Sequence, residues 1–599
     1  MNVAVTGTAA WSALATRRAT ARRSEHLAPT TRGLNYFEID RSLRSLLPVY
    51  MDGPLLEHLM PHLHQLGALG GGRLGELSEA AERHPPVLHP RDHFGRDEEW
   101  IEYHPAYKAM EEIGFGRFGM HAMTNRAGVM GWDAPMPPLA KFVFFYLFSQ
   151  AEFGLLCPIS LADCSSELVR LFGNDDLKAK YLDAMVSQDL TQLKRSAQFM
   201  TEKAGGSDVG ANELTAVRDG DRWRLWGEKW FCSHADADLA VLLARPEGAV
   251  AGGRGLGLFL IPKTLDDGTR NAYRIVRLKD KLGSKSMASG EIVFEGATAF
   301  QLGELDQGLK HMLGMVNTGR LSHAARAAGM MRRCLNEAMQ TARHRNAFGK
   351  TLIDHPLLRR QLLKAMIPTE QALSALLYAS AAAGKAETDR DAEMILRIMT
   401  PITKYRACRD NVAVAGGALE VRGGNGYIED WPNARLVRDA YLGVIWDGTS
   451  NIVALDVLSR AVAKAGAHKS LRADISGRLA NAAGLPGQFK TRLEGGLSEA
   501  FAFAEEVAKN AQYERFSRVA AGKLYHALTA VLLAAEGGLA GLQGGDARRM
   551  VMARFVLEHR LQKSTPSQLS NWDWEEEAIG ALLSDEPVSL DQAASLLVG

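Results

Sequence analysis

The chain changes its hydrophobic period twice, and that alternation restricts the architectures open to it. Across residues 43–193 apolar side chains recur at three and four, as in LLEHLMPHLHQL, HPAYKAMEEI and SSELVRLF, the spacing of one buried helix face. Across 197–300 they alternate in segments such as LGLFLIPK and GEIVFEG, the period of a half-buried strand. DGDRW within this stretch is a hairpin signal of the Asp-Gly type. After residue 302 the helical period returns in four long amphipathic stretches, 320–344, 356–383, 393–416 and 452–465, joined by short loops. That pattern reads as an antiparallel bundle. A last helical, nearly charge-balanced region runs from 469 to 599.

At 599 residues the chain is too long for one compact domain. Its net charge of +1 argues against binding nucleic acid or membrane through bulk charge. Five cysteines with no CxxC spacing argue against a disulfide framework or a zinc site, so no metal ligands are assigned and a reducing, cytoplasmic setting is expected. No apolar run is read as a bilayer span; the best candidate, beginning at Pro135, is interrupted by Lys141. The N-terminus carries Arg17, Arg18, Arg22 and Arg23 and is read as a basic extension (1–42). Residues 84–97 read as a polar, proline-broken loop. Two GxGxxG matches, Gly70/Gly72/Gly75 and Gly114/Gly116/Gly119, follow no strand and are rejected as dinucleotide turns.

Four motifs carry chemistry. FMTEKAGGSDV (199–209) is a small-residue loop whose backbone N–H groups can approach a flat or anionic ligand. GEKWFCS (227–233) sets aromatic rings beside short polar side chains, a combination suited to a planar heterocycle. RHRNAFGK (343–350) follows the first long helical stretch, and VRGGNGYIEDWP with IWDGTSNI (421–452) follows the third. In this order, with NDDLKAKYL (174–182) ahead of them, they resemble the acyl-CoA dehydrogenase superfamily over about residues 98–465. The wording MTEKAGGSDV and the extra helical C-terminus are similar to its AidB-like branch, linked to the alkylation response.

The resemblance implies an α+β fold: an N-terminal helical domain (43–196), a central β-barrel-like domain (197–301), a C-terminal four-helix bundle (302–466) and an additional C-terminal helical domain (467–599). It implies FAD, with Met200 and Thr201 bordering the isoalloxazine, Ser207 along the loop, Phe231 flanking the ring and Ser233 near N5. Arg345 and Phe348 would hold the diphosphate and adenine of a neighbouring subunit's FAD. Gly423 and Gly424 would approach the same dinucleotide, and Thr449 and Asn451 would complete the site. A homo-oligomer, dimer or tetramer, follows from such sharing. The implied reaction is α,β-dehydrogenation of an acyl-CoA or other acyl thioester, with an electron-transfer partner or oxygen as acceptor. The branch suggests an alternative, a DNA-associated flavoprotein with weak or no dehydrogenase activity.

The family's catalytic base is a glutamate before Gly-Thr, and this chain has Asp447 there. A second family position for the base corresponds to Gly319, which cannot serve. Two readings of Asp447 stand, a general base or the N-cap of the helix that follows, with Thr449 as a competing cap. His311, His323, His344 and His355 read as surface or packing histidines, and Cys157 and Cys164 as buried thiols. Arg326, Arg332, Arg333, Arg359 and Arg360 read either as a phosphate-attracting cluster or as a solvated face.

Overall fold

The computed structural model describes residues 27–562 and 572–598; Arg17, Arg18, Arg22 and Arg23 lie outside them. The chain opens with packed coil in which Tyr36 and Phe37 are buried and Thr31 bonds Glu337 in the bundle through both its N–H and its hydroxyl. Helices α1 (Arg41–Tyr50), α2 (Gly53–Gly71) and α3 (Arg73–Arg83) follow. The first GxGxxG match ends up here as packing: a Cβ on Gly70 would meet the Tyr36 ring at 2.7 Å. Residues 84–97 are not simply a loop. Val87–Arg91 (β1) and Asp97–Glu102 (β2) pair antiparallel, a short, mostly exposed hairpin whose polar composition hid its period.

Helix α4 (Pro105–Glu111) leads to α5 (Pro138–Ser149), which is buried on every side. An all-round apolar helix belongs in a core. Its one charge, Lys141, is accommodated by a buried ion pair with Asp163 at 2.7 Å. Helices α6 (Leu156–Phe172) and α7 (Asp175–Met185) complete the N-terminal part, with Asn174 capping α7 through Leu177 N–H.

The central β region comprises β3 (Ser196–Phe199), β4 (Thr215–Asp219), β5 (Arg222–Ser233), β6 (Leu239–Pro246), β7 (Gly257–Pro262), β8 (Tyr273–Leu278) and β9 (Ser289–Leu302). Strands β6, β4, β5, β9 and β7 pair in that order, and β7 pairs back onto β6, so the sheet closes. Closure removes the edges that an open sheet would expose. The β4–β5 hairpin forms where DGDRW predicts it, with Gly220 (φ +64°) in the first of the two loop positions.

Helix α8 (Gly308–His344) packs along α9 (Pro356–Ala383) and α10 (Arg390–Arg422). After α11 (Pro432–Ala440), helix α12 (Ser450–Leu455) continues as a π-helix over Asp456–Lys464 and completes the bundle. The remaining residues form a helical layer on the bundle, including α13 (His468–Asn481), α14 (Gly487–Lys509), α15 (Ser517–Leu542), α16 (Arg548–Val556) and α17 (Trp574–Leu583). Among the described residues one helix, Ala511–Leu542, is long and apolar enough by length and composition to cross a membrane; 78% of its most apolar window is buried inside the protein. The α+β organisation of helical part, closed β region and helical C-terminus is as expected.

Candidate active site

The glycine-rich loop and strand β5 meet, as their pairing in the sequence requires. Trp230 N–H donates to the Thr201 carbonyl at 2.9 Å. Behind them is a clamp the sequence reading missed. Lys229 Nζ, fully buried, donates to Glu202 Oε1 at 2.5 Å and to the Met200 carbonyl at 3.3 Å. The other Glu202 oxygen accepts the backbone N–H groups of Glu213 (2.5 Å) and Leu214 (3.2 Å). The loop is thereby tied to two strands by a single carboxylate. On the open side Phe231 is 53% exposed, and Lys279 Nζ lies 3.2 Å from the centre of the Trp230 ring. Ser207 is exposed, whereas Ser233 is buried, 3.4 Å from Ser289 Oγ.

Asp447 sits in the turn before α12 with φ +52°, followed by Gly448 at φ +100°. Aspartate is one of the few non-glycine residues that tolerate this left-handed conformation, through its short polar side chain. It does not cap the helix: Thr449 occupies the N-cap position, without a side-chain cap bond. The Asp447 carboxylate instead faces α8. Its Oδ2 is 3.2 Å from His323 Nε2, and a Cβ on Gly319 would approach the same oxygen to 2.9 Å. The two positions at which the resemblance would place a base are thus face to face, and Gly319 is what leaves room for Asp447.

His323 is buried, as a packing histidine is, and it also lies one helical turn from Gly319 and touches the candidate base. The backbone around Asp447 is fixed as well. Arg320 Nε donates to the Asp447 carbonyl (3.1 Å) and Lys404 Nζ to the Gly448 carbonyl (2.5 Å). Burial on its own would raise the carboxyl pKa, but His323, Lys404 and Arg320 outweigh it and hold Asp447 down at about 2. Burial, helped by Arg326, pushes His323 to about 4, so its imidazole is neutral at pH 7.

The arginines read as one basic cluster divide: Arg326, Arg332 and Arg333 are buried, Arg359 is half-buried and Arg360 is exposed. Arg332 pairs with Glu370 (2.5 Å) and Arg333 with Glu337 (3.0 Å) inside the bundle. Arg359 and Arg360 reach Glu576 and Glu575 of α17, at 2.5 and 2.9 Å. Arg326 is buried beside His323. Cys157 and Cys164 are buried thiols, and burial raises Cys157 to about 11. Among the described residues no group of three or more His, Cys, Asp or Glu is placed to hold a metal ion.

The remaining expected residues are exposed. Arg345 and Phe348 are on a small hairpin after α8, in which Asn346–Ala347 pairs with Lys350–Thr351. Phe348 (φ +52°) and Gly349 (φ +80°) form its tip, and Phe348 is 97% exposed. Gly423 and Gly424 follow α10 on the surface, and a Cβ on either would touch nothing within 4 Å. Thr449 and Asn451 are exposed at the start of α12.

A closed β region beside a helical bundle, with the Asp447 carboxylate facing the first bundle helix, is the arrangement of an acyl-CoA dehydrogenase. The chain belongs to the acyl-CoA dehydrogenase family, in its AidB-like branch. Residues 27–190 match the adaptive response protein AidB N-terminal domain, 197–297 the acyl-CoA dehydrogenase middle domain and 306–463 its C-terminal domain. The chain is 33% identical to the putative acyl-CoA dehydrogenase AidB of Escherichia coli over 417 residues, 67% of this chain and 74% of that protein. It is 32% identical to acyl-CoA dehydrogenase family member 11 of Caenorhabditis elegans over 440 residues, 70% and 69% of the two chains. The structure of C. elegans ACDH-11 in complex with C11-CoA superposes with a TM-score of 0.82 at 25% identity, covering 95% of this chain and 99% of that one.

Proposed function

We propose that the protein is an FAD-dependent acyl-CoA dehydrogenase-like oxidoreductase in which Asp447 removes the α-proton of an acyl thioester. The observation that carries this reading is the Asp447 carboxylate, which does not cap the helix after it and is held by a left-handed turn facing Gly319 and His323. FAD, when bound, supplies the acceptor for the β-hydride. The chain's own residues fit such a cofactor. Phe231 offers an aromatic face beside the Thr201 loop; Arg345 is an exposed cation that makes no ion pair among the described residues; and Phe348 presents a bare ring. Arg345 and Phe348 would engage the dinucleotide of a neighbouring protomer, and Gly423 and Gly424 leave backbone open beside it. The C11-CoA complex of the C. elegans relative supports an acyl thioester as the ligand class.

One observation favours the weaker alternative, a flavoprotein with little dehydrogenase activity. A carboxylate held at about 2 has low proton affinity, and aspartate reaches about 1 Å less far than glutamate, a displacement that can cost about a hundredfold in rate. Anaerobic titration of the holoprotein with acyl-CoA thioesters of graded length decides between them. Bleaching of the visible flavin band that disappears in Asp447→Ala, with FAD still bound, is the expected result. Unchanged reduction kinetics in that variant would remove Asp447 from the mechanism.

A further inference from the structure

Arg326 is the largest of the fully buried side chains, 2% exposed, and among the described residues it has no carboxylate within ion-pair distance. The other buried arginines do: Arg320, for example, meets Asp456 and Arg422 meets Glu337. The Arg326 bonds are few: its Nε approaches the Ser322 carbonyl of its own helix at 3.4 Å, its Nη2 lies 3.3 Å from His323 Nε2, and Nη1 has no partner among the described residues. A buried, unpaired guanidinium is strongly disfavoured unless an anion completes it.

The tautomer of His323 sharpens the point. Its Nε2 stands 3.2 Å from Asp447 Oδ2 and 3.3 Å from Arg326 Nη2. A neutral imidazole nitrogen either donates or accepts. If it donates to Asp447, two guanidinium nitrogens are left without partners; if it accepts from Arg326, its lone pair faces the carboxylate. No assignment among the described residues satisfies all three groups.

Gly319, His323 and Arg326 are spaced to share one face of α8. Arg326 therefore lies further along the wall on which Asp447 rests. The Phe153 ring is 5.3 Å from its guanidinium carbon, and the Cys157 thiol, which feels its charge, lies beside Ser233. We infer that Arg326 binds a carboxylate at the far end of a short acyl group, so that the preferred substrates are ω-carboxyacyl thioesters. This rests on the acyl-thioester reading above and specifies it. The guanidinium fork accepts a carboxylate through two parallel bonds, and only one imidazole nitrogen separates it from Asp447, so the acyl chain between them is short.

The test measures equilibrium binding of glutaryl-CoA and of valeryl-CoA, equal in carbon number, to the holoprotein by calorimetry, with flavin bleaching recorded in parallel. Glutaryl-CoA should bind about 10- to 100-fold more tightly, the range of a charge-assisted bond. Arg326→Met should abolish that preference and Arg326→Lys should retain part of it. Removing an unpaired buried charge should leave the Met variant at least as stable as the wild type. Equal binding of the two thioesters, or a preference that persists in Arg326→Met, overturns the inference. Bleaching by valeryl-CoA as readily as by glutaryl-CoA also overturns it while sparing the dehydrogenase reading. Arg326-dependent binding of glutaryl-CoA without bleaching by any thioester does the reverse, and failure of both thioesters to bind overturns the inference, leaving the dehydrogenase reading to the titration with thioesters of graded length.

Discussion

Asp447 stays ionised far below neutral pH because three cationic or hydrogen-bonding neighbours outweigh its burial. Its folded pKa lies below the ordinary 3.8, so the stability it contributes is present above about pH 4 and is lost as pH falls toward 2. In kinetics the same depression means that the rate of flavin reduction should show no acid limb from Asp447 between pH 4 and 7. His323→Phe removes the largest of the lowering influences after burial's opposing one. The carboxyl pKa should then rise and an acid limb should enter the accessible range, read by stopped-flow reduction against pH. An unchanged profile would show that His323 does not set the charge of Asp447. The sequence made Asp447 legible through its Gly-Thr neighbours but not the role of His323. Its partner lies more than a hundred residues away, and only the left-handed turn at Asp447 brings the two together.

The glycine loop owes its shape to the clamp beneath it. Glu202 and Lys229 are both buried, and Glu202 also receives two backbone N–H groups. Breaking a buried pair by removing one partner typically costs about 3–5 kcal/mol, because the other charge stays behind. Glu202→Ala should therefore lower the unfolding free energy by roughly that amount in urea titration and release FAD at lower denaturant than the wild type. Co-release of cofactor and structure at the wild-type midpoint would separate the clamp from the site. The glycines and aromatics of these motifs were readable because their spacing is local. The clamp was not, since a Glu and a Lys 27 positions apart look like surface charges until strand pairing buries them. The same limit explains the hairpin β1–β2, whose exposed faces leave no hydrophobic alternation, and the arginines of α8. Arg332 and Arg333 read as basic until Glu370 and Glu337 fold against them.

Over the whole molecule, the C-terminal helices are fastened to the bundle by shared charge rather than appended to it. Arg549 of α16 bonds Glu370 of α9 (2.5 Å) and Glu536 of α15 (2.9 Å), while Glu370 also holds Arg332 of α8 and Ser42 of α1. Arg549→Met leaves Glu536 with far less positive charge around it, and should cost about 3 kcal/mol or more. Because one carboxylate joins four helices, bundle and C-terminal layer should still melt in one calorimetric transition, at lower temperature. Two separated transitions would show that the layers fold independently. Phe348 holds a left-handed backbone that a bulky side chain adopts only at a cost, and it spends that strain on a ring left 97% exposed, near exposed Leu357. A protomer alone gains nothing from this; a neighbour that covers the ring does, through the burial of its apolar area at about 25 cal/mol per Å². If protomers associate through this ring, as proposed, Phe348→Ser should raise the concentration at which the assembly dissociates, measured by light scattering after size exclusion, and should weaken FAD retention in step with it. If the variant keeps its mass yet loses FAD, the ring contacts cofactor without supporting assembly; if it loses neither, the neighbour's share in the site is not carried by Phe348.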